Sequence, residues 1–417
     1  MRATTKRVVT GLVGAACAAV VALTGGAAAS ASPGQEPAAA PVAAAADGPW
    51  LTGYWQNFDN GATVLRLSQV PAAYNLVAVA FAENLTGTPG GITFEVASAE
   101  LDGYTEAQFK ADVAAMHAQG RKVVLSVGGE KGNVVVSNAT EARNFADSAY
   151  ALMQEYGFDG VDIDLEHGIN ATAMADALHQ LSAKAGSDLI LTMAPQTIDY
   201  QATTMGYYQL TLAIKDILTI VNTQYYNSGS MLGCDQKVYS QGTVDFLTAL
   251  SCIQLEMGLR PDQVGIGVPA TSRAAGGGYQ PAGNVVKALD CLEAGTGCGA
   301  FTPAEPYGPI GGAMTWSINW DATNGYAFAD VVGARLATGA GTPTDPPTEP
   351  TDPPTDPTDP PTDPGDCTAP AWTSSAVYVG GNQVSSDGRT YEAKWWTTNE
   401  NPAQSGQWGV WRDLGAC

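Results

Sequence analysis

Eight short apolar runs rich in β-branched residues constrain this chain more than any other feature. They lie at residues 51–55, 76–81, 122–127, 160–165, 189–193, 220–225, 264–268 and 312–316. Stretches of helical period separate several of them, at 106–117, 140–156, 171–185 and 244–257. Eight strands alternating with helices over roughly 290 residues predict a (β/α)8 TIM barrel, for which about 250 residues is typical. A doubly wound open sheet is disfavoured, because no Gly-rich phosphate loop follows the first run. In a barrel, chemistry sits at the C-terminal ends of the strands.

The fourth run reads Asp159-Gly160-Val161-Asp162-Ile163-Asp164-Leu165-Glu166. On a strand, Asp162, Asp164 and Glu166 share one face and Val161, Ile163 and Leu165 the other. The apolar face meets the surrounding helices, so the acids point into the barrel. Barrel interiors are normally filled by Val, Ile and Leu, and an unpartnered buried carboxylate is costly. The other runs offer almost no inward Lys or Arg to pair with these acids, and a calcium site would draw its oxygens from a loop. Crowded carboxylates cannot all ionise, so Glu166, the outermost, is expected to stay protonated near neutral pH and act as a general acid. Asp159 has the opposite parity and is expected to fix the start of the strand.

The 417-residue chain sets 19 Lys+Arg against 41 Asp+Glu, a net charge of −22. That excludes binding nucleic acid by neutralising phosphates. Arg2, Lys6 and Arg7, an apolar stretch to Leu23 and Ala29-Ser30-Ala31 read as a secretory signal over residues 1–31. An Ala/Pro-rich leader, 32–48, follows. No later stretch reaches the ~18 to 20 apolar residues of a membrane span, so an exported protein with no membrane partner is expected. A Pro/Thr/Asp repeat cannot bury a core and reads as a linker, 339–366, between a large unit, 49–338, and a small one, 367–417. Beyond the signal there are cysteines at 234, 252, 291, 298, 367 and 417; an even number in an exported chain favours disulfides over metal ligation. Proximity suggests Cys234–Cys252, Cys291–Cys298 and Cys367–Cys417, with other connectivities open. His117, His167 and His179 form no H-E-x-x-H, so no metal or cofactor is expected.

The Asp-Gly-x-Asp-x-Asp-x-Glu run resembles the signature of the family 18 glycoside hydrolases, the chitinases. Other strand ends agree in order: Gly53-Tyr54-Trp55-Gln56-Asn57; Ser126-Val127-Gly128-Gly129, the family's S-x-G-G; Met193-Ala194-Pro195-Gln196; Gln224-Tyr225-Tyr226-Asn227, like its Q-x-Y-N; and Trp316. The resemblance covers residues 49–338. It implies a retaining mechanism without an enzyme nucleophile, an exception to the two-carboxylate scheme. Glu166 would protonate the glycosidic oxygen while the sugar's own acetamido oxygen attacks the anomeric carbon; water would then open the oxazolinium, with Glu166 as base. Asp164 would orient the acetamido N–H, and Asp162 would share a proton with Asp164, beside Ser126. Tyr226 would donate to the acetamido oxygen, and Trp316 would floor the reacting sugar's subsite. Tyr54, Ser126, Gln196, Gln224 and Asn227 are expected to bind substrate, whereas Tyr225 is expected to pack outside. Roughly 40 residues between Val268 and Gly311 leave no room for the inserted α+β domain of many processive members. A shallow cleft and endo-type cutting are expected, in a branch resembling the hevamine-type enzymes.

The last 51 residues hold Trp372, Trp395, Trp396, Trp408 and Trp411. Tyr391-Glu392-Ala393-Lys394-Trp395-Trp396-Thr397, with the later Gly406-Gln407-Trp408, resembles the family 5 and 12 carbohydrate-binding modules. The resemblance implies a small all-β module binding chitin through Trp395, Trp396, Trp408 and Trp411; strand parity puts one of the adjacent pair in its core. The expected partners are chitin and N-acetylglucosamine oligosaccharides, acted on by a monomer. Two alternatives share these acids: an endo-β-N-acetylglucosaminidase on N-glycans, and a non-catalytic chitin lectin. The module disfavours the first, and the presence of Glu166 the second.

Overall fold

A computed structural model describes residues 48–338 and, further on, 367, 369–374, 376–378, 382–393, 397–398, 401–404 and 411–416. The chain divides into two compact units. The first contains β1 (Trp50–Gln56), β2 (Leu76–Asn84), β3 (Lys122–Gly128), β4 (Gly160–Asp164), β5 (Ile190–Met193), β6 (Ile220–Gln224), β7 (Val264–Pro269) and β8 (Gly312–Trp316). Each pairs in parallel with the next, and β8 pairs with β1, closing the (β/α)8 barrel. Four expected helices form within one residue of their expected ends: α1 (Glu106–His117), α2 (Ala139–Tyr156), α3 (Ala171–Ala185) and α5 (Val244–Glu256). The unexpected α4 (Gly206–Ile214) and α6 (Ala282–Ala294) begin at Met205 and Pro281 without a side-chain cap, so no start signal marked them. Between β7 and β8 the only regular element is α6, which leaves no inserted domain.

Strand parity sorts the side chains as the alternation demands. Val161, Ile163 and Leu165 join the large cluster between strands and helices, whereas Tyr54, Ala78, Ala80, Val124, Ala194 and Met314 form a smaller cluster inside the barrel. The start of β4 is fastened by Asp159, whose Oδ2 accepts the Val123 N–H at 2.8 Å and whose Oδ1 accepts from Lys122 Nζ at 2.9 Å. At several glycines, Gly160 and Gly128 among them, the neighbouring backbone leaves no space for a side chain. A Cβ on Gly160 would lie 1.8 Å from the Ile190 oxygen, and one on Gly128 2.1 Å from the Asp164 oxygen. The Gly129 N–H donates to that same Asp164 carbonyl at 2.7 Å, so the S-x-G-G motif ties the end of β3 to the acidic strand.

Two disulfides form as proximity suggested. Cys234–Cys252 staples the hairpin Ser230–Leu232/Val238–Ser240 to α5, and Cys291–Cys298 closes the end of α6. Cys367 is also disulfide-bonded, and Cys417 lies outside the described residues. The signal, leader and linker expected at 1–31, 32–48 and 339–366 fall outside them too, apart from Gly48. The second unit is all-β: Gln383–Ser386, Arg389–Ala393 and Trp411–Ala416 form an antiparallel sheet, its first turn made by Asp387-Gly388 with φ of 48° and 72°. Its core is Tyr378, Val384, Tyr391, Ala393 and Trp411.

The glycine at 160 provides a test of the barrel. Gly160→Ala is expected to cost ~1–3 kcal/mol through overpacking against β5. Gly283→Ala, in the open first turn of α6 with nothing within 4 Å, is expected to be neutral or to stabilise by ~0.4–1 kcal/mol. Urea unfolding midpoints of both variants against the parent check the contrast.

Candidate active site

The carboxylates project from β4 and from the loop that follows it. Asp162, 1% exposed, accepts three hydroxyl donors: Tyr54 OH at 2.7 Å and Ser126 Oγ at 2.7 Å on Oδ2, and Thr192 Oγ1 at 2.6 Å on Oδ1. Burial raises its pKa, while these donors favour the ionised form and pull the other way. Asp164, two residues on and also buried, accepts from Gln224 Nε2 at 2.8 Å. Its pKa is raised well above the usual carboxylate range by burial first, then by the charges of Asp162 and Glu166. Both aspartates are thus shifted toward the protonated form, with burial as the leading cause.

Glu166 lies where β4 gives way to solvent. Its Oε2 accepts from Gln196 Nε2 at 3.4 Å and its Oε1 from Gln224 Nε2 at 3.5 Å, long contacts to an acid left free to move a proton. Its pKa is raised chiefly by burial; Glu130 adds to the rise, whereas Gln224, His167 and Gln196 oppose it. The direction matches expectation and the leading cause differs: carboxylate crowding falls mainly on Asp164, and loss of water on Glu166. No Lys or Arg among the described residues forms an ion pair with the row.

The other expected residues divide by what their polar atoms touch. Tyr226 is buried, and burial together with the charges of Asp164, Glu166 and Asp162 raises its pKa far enough to keep the hydroxyl a donor. Trp316 stacks on Phe81, with centroids 5.8 Å apart and planes 20° apart, and meets Tyr54 edge-on at 5.5 Å. Phe58 stacks on Phe81 in turn. Tyr225 packs outside, its hydroxyl against Ser251 Oγ at 2.8 Å. Four residues expected to bind substrate have other partners. The hydroxyls of the buried Tyr54 and Ser126 are spent on Asp162, which makes them supports of the carboxylate. Gln224 Nε2 also donates to the Ala194 oxygen at 2.9 Å, so Gln224 braces the row. Asn227, with φ of 51°, accepts the Gly277 N–H on Oδ1 at 3.1 Å and holds the loop after β7. Only Gln196 stays half-exposed beside Glu166.

Sequence reasoning missed Thr192, Phe58 and Phe81. Thr192 has inward parity on β5 and could have been found by that rule; the two phenylalanines read as ordinary core. In the second unit, Trp411 was expected on the sugar-binding face, but it is 2% exposed and meets Tyr378 edge-on at 5.2 Å, which makes it core. Trp395, Trp396 and Trp408 lie outside the described residues.

Comparison with known proteins places this geometry. Residues 51–333 match the glycosyl hydrolases family 18, and residues 371–412 match the carbohydrate-binding module family 5/12. Chitinase Chi52 of Paenibacillus xylanexedens is 37% identical over 318 residues, covering 67% of this chain and 60% of that protein. Chitinase D of Niallia circulans is 36% identical over 320 residues, covering 67% and 60%. The chain thus spans about 60% of the length of these curated relatives. A solved Streptomyces coelicolor structure assigned as Chitinase A is 63% identical, with a TM-score of 0.69, covering 70% of this chain and 99% of that one. The acidic strand, its S-x-G-G clasp and the stacked Trp316 stand within the matched region, and the chain belongs to glycosyl hydrolases family 18.

Proposed function

We propose that the chain is a secreted, endo-acting chitinase that hydrolyses β-1,4 bonds between N-acetylglucosamine units with retention of configuration. One observation carries the reading. Among the described residues the only carboxylates at inward strand positions are Asp162 and Asp164, with Glu166 just past the strand end, so the three acids come from one strand and its extension. A second carboxylate able to attack from the opposite face, as the two-carboxylate scheme requires, is missing from those positions. The nucleophile is then the substrate's own acetamido oxygen. Glu166 gives its proton to the leaving oxygen and later takes one from water. Asp164 accepts the acetamido N–H and meets the positive charge that forms there; Tyr226 donates to the acetamido oxygen and aims it at the anomeric carbon. Trp316, backed by Phe81 and Phe58, gives the sugar ring an apolar face to rest on.

The named chitinases among the relatives support this substrate, as does the match to a carbohydrate-binding module. The short β7–β8 connection supports an open cleft. We further propose that the second unit acts as a chitin-binding module across the linker, since the barrel alone corresponds to nearly the whole of a solved relative.

Hydrolysis of soluble N-acetylglucosamine oligomers followed by NMR is expected to release the β-anomer first, and Glu166→Gln is expected to lower the rate roughly 10²- to 10⁴-fold. First release of the α-anomer overturns the mechanism. Asp164→Asn separates chemistry from stability. Because the folded-state pKa of Asp164 is raised, its contribution to stability is present below the ordinary aspartate pKa and is lost as pH rises through the raised value. The variant lacks that loss, so its unfolding free energy relative to the parent is expected to grow with pH, while kcat falls on the order of 10²-fold. Urea melts at a series of pH values, with kcat beside them, check both. Truncation at Gly341 is expected to leave turnover of short soluble oligomers unchanged and to depress activity on insoluble chitin, because tethering raises only local concentration. Equal losses on both substrates overturn the modular reading.

A further inference from the structure

The side chain of Glu166 makes only long contacts, at 3.4 and 3.5 Å, so its place is set by the backbone around it. On the β3 side the Asp164 carbonyl is held by the Gly129 N–H at 2.7 Å. On the β5 side the pairing register ends at Ile163 and Met193. A parallel ladder carried one rung further would take the Ala194 N–H to the Ile163 oxygen and the Leu165 N–H to the Ala194 oxygen. The first of these bonds forms, at 2.9 Å. The second is replaced: the Ala194 oxygen accepts Gln224 Nε2 at 2.9 Å, and the Leu165 N–H donates to the hydroxyl of Tyr207 at 2.7 Å.

Tyr207 stands in the first turn of α4 and is 2% exposed. Its hydroxyl donates in turn to the Ile163 oxygen at 3.2 Å, so one side-chain oxygen spans a carbonyl and an N–H two residues apart, just before the acid. Burial first, then the charge of Asp164, raises its pKa and keeps the hydroxyl protonated. The helix approaches the end of β4 closely because Gly206 precedes Tyr207. A Cβ on Gly206 would lie 2.6 Å from Ile169 Cγ2 and 2.7 Å from the Ile169 oxygen, in the loop that follows β4. Beyond the acid, His167 Nε2 donates to the Glu130 carbonyl at 2.8 Å. Glu166 therefore leaves the strand between two fastened neighbours, Leu165 and His167.

We propose that Tyr207 is a positioning residue for Glu166: its hydroxyl ends the β4 ladder at Leu165 and so fixes where the acid leaves the strand. This rests on Glu166 being the general acid, as argued above. Without the hydroxyl, the buried Leu165 N–H either stays unpaired, which is costly, or closes onto the Ala194 oxygen and draws the next residue toward β5. Either outcome displaces Glu166 from the bond it must protonate, while the aromatic stack and Tyr226, which face the sugar, keep their places.

Tyr207→Phe removes the hydroxyl and keeps the ring. Tyr156→Phe is the matched control, since the buried Tyr156 hydroxyl donates to the Phe94 oxygen at 3.1 Å in the large cluster between strands and helices. Both variants of the full chain are measured for kcat and KM on a soluble N-acetylglucosamine oligomer and for urea unfolding midpoint. Tyr207→Phe is expected to lower kcat about ten- to a hundredfold with KM within about twofold of the parent's, because misplacing an acid affects the transition state and leaves ground-state binding alone. Tyr156→Phe is expected to lower the midpoint comparably and to keep kcat within about twofold of the parent's. A Tyr207→Phe enzyme with the parent's kcat, or equal losses of kcat in the two variants, overturns the proposal. If Tyr207→Phe does not fold, Gly206→Ala decides, since its methyl group pushes α4 away from the loop after β4. A lowered kcat at unchanged KM supports the proposal, and the parent's kcat overturns it. A parent enzyme that fails to cleave the oligomer, or a Glu166→Gln variant as active as the parent, instead overturns the reading on which it rests.

Discussion

Three hydroxyl groups converge on Asp162 inside the barrel, from β1, β3 and β5, and the site depends on them. A carboxylate at that depth would otherwise shed its charge or destabilise the fold. Tyr54, Ser126 and Thr192 favour its ionised form and so oppose the burial that raises its pKa. Asp164 has one amide donor and two acidic neighbours, whose charges add to burial in raising its pKa. Along the five residues from Asp162 to Glu166, the environment passes from hydrogen-bonded interior to half-solvated rim, and the acid at the rim is the one with room to exchange protons with a substrate.

That gradient explains how labour divides around the acids. Tyr54, Ser126 and Thr192 address the deepest carboxylate, Gln224 braces the middle one, and Gln196 reaches the outermost. Polar groups on β5 and β6 therefore serve the row before they serve any ligand. What remains for a sugar is the Tyr226 hydroxyl and the aromatic stack of Trp316, Phe81 and Phe58, on parts of the barrel that carry no charge. A neutral, amide-bearing sugar suits such a division: its apolar face meets rings and its acetamido group meets one donor and one acceptor.

The same arrangement costs stability. Buried acids without cations oppose folding as pH rises, and the barrel offsets this with dense packing, seen where Gly160 and Gly128 bring backbones too close for any side chain. It also uses disulfides, which close the hairpin after β6 and the end of α6. These supports lie beneath or beside the site, which leaves the rim at Glu166 accessible.

Much of this was legible in the chain itself. Eight apolar runs at strand length require eight strands, and the period-two alternation at 161–166 dictates which side chains face inward, because successive residues on a strand point to opposite faces. Helices with capping side chains, such as α1 behind Thr105, announced their starts; α4 and α6, without them, did not. The tertiary structure alone decided partnership. Tyr54 and Asp162 are 108 residues apart, and only barrel closure brings the hydroxyl to the carboxylate, turning an expected sugar contact into a support. Gln196 reaches Glu166, 30 residues before it, because β4, β5 and β6 pair side by side. Trp411 counted as a surface aromatic until its sheet turned it inward. Local pattern determines which way a side chain points; which groups it meets there depends on contacts between distant segments, and those contacts set its charge state.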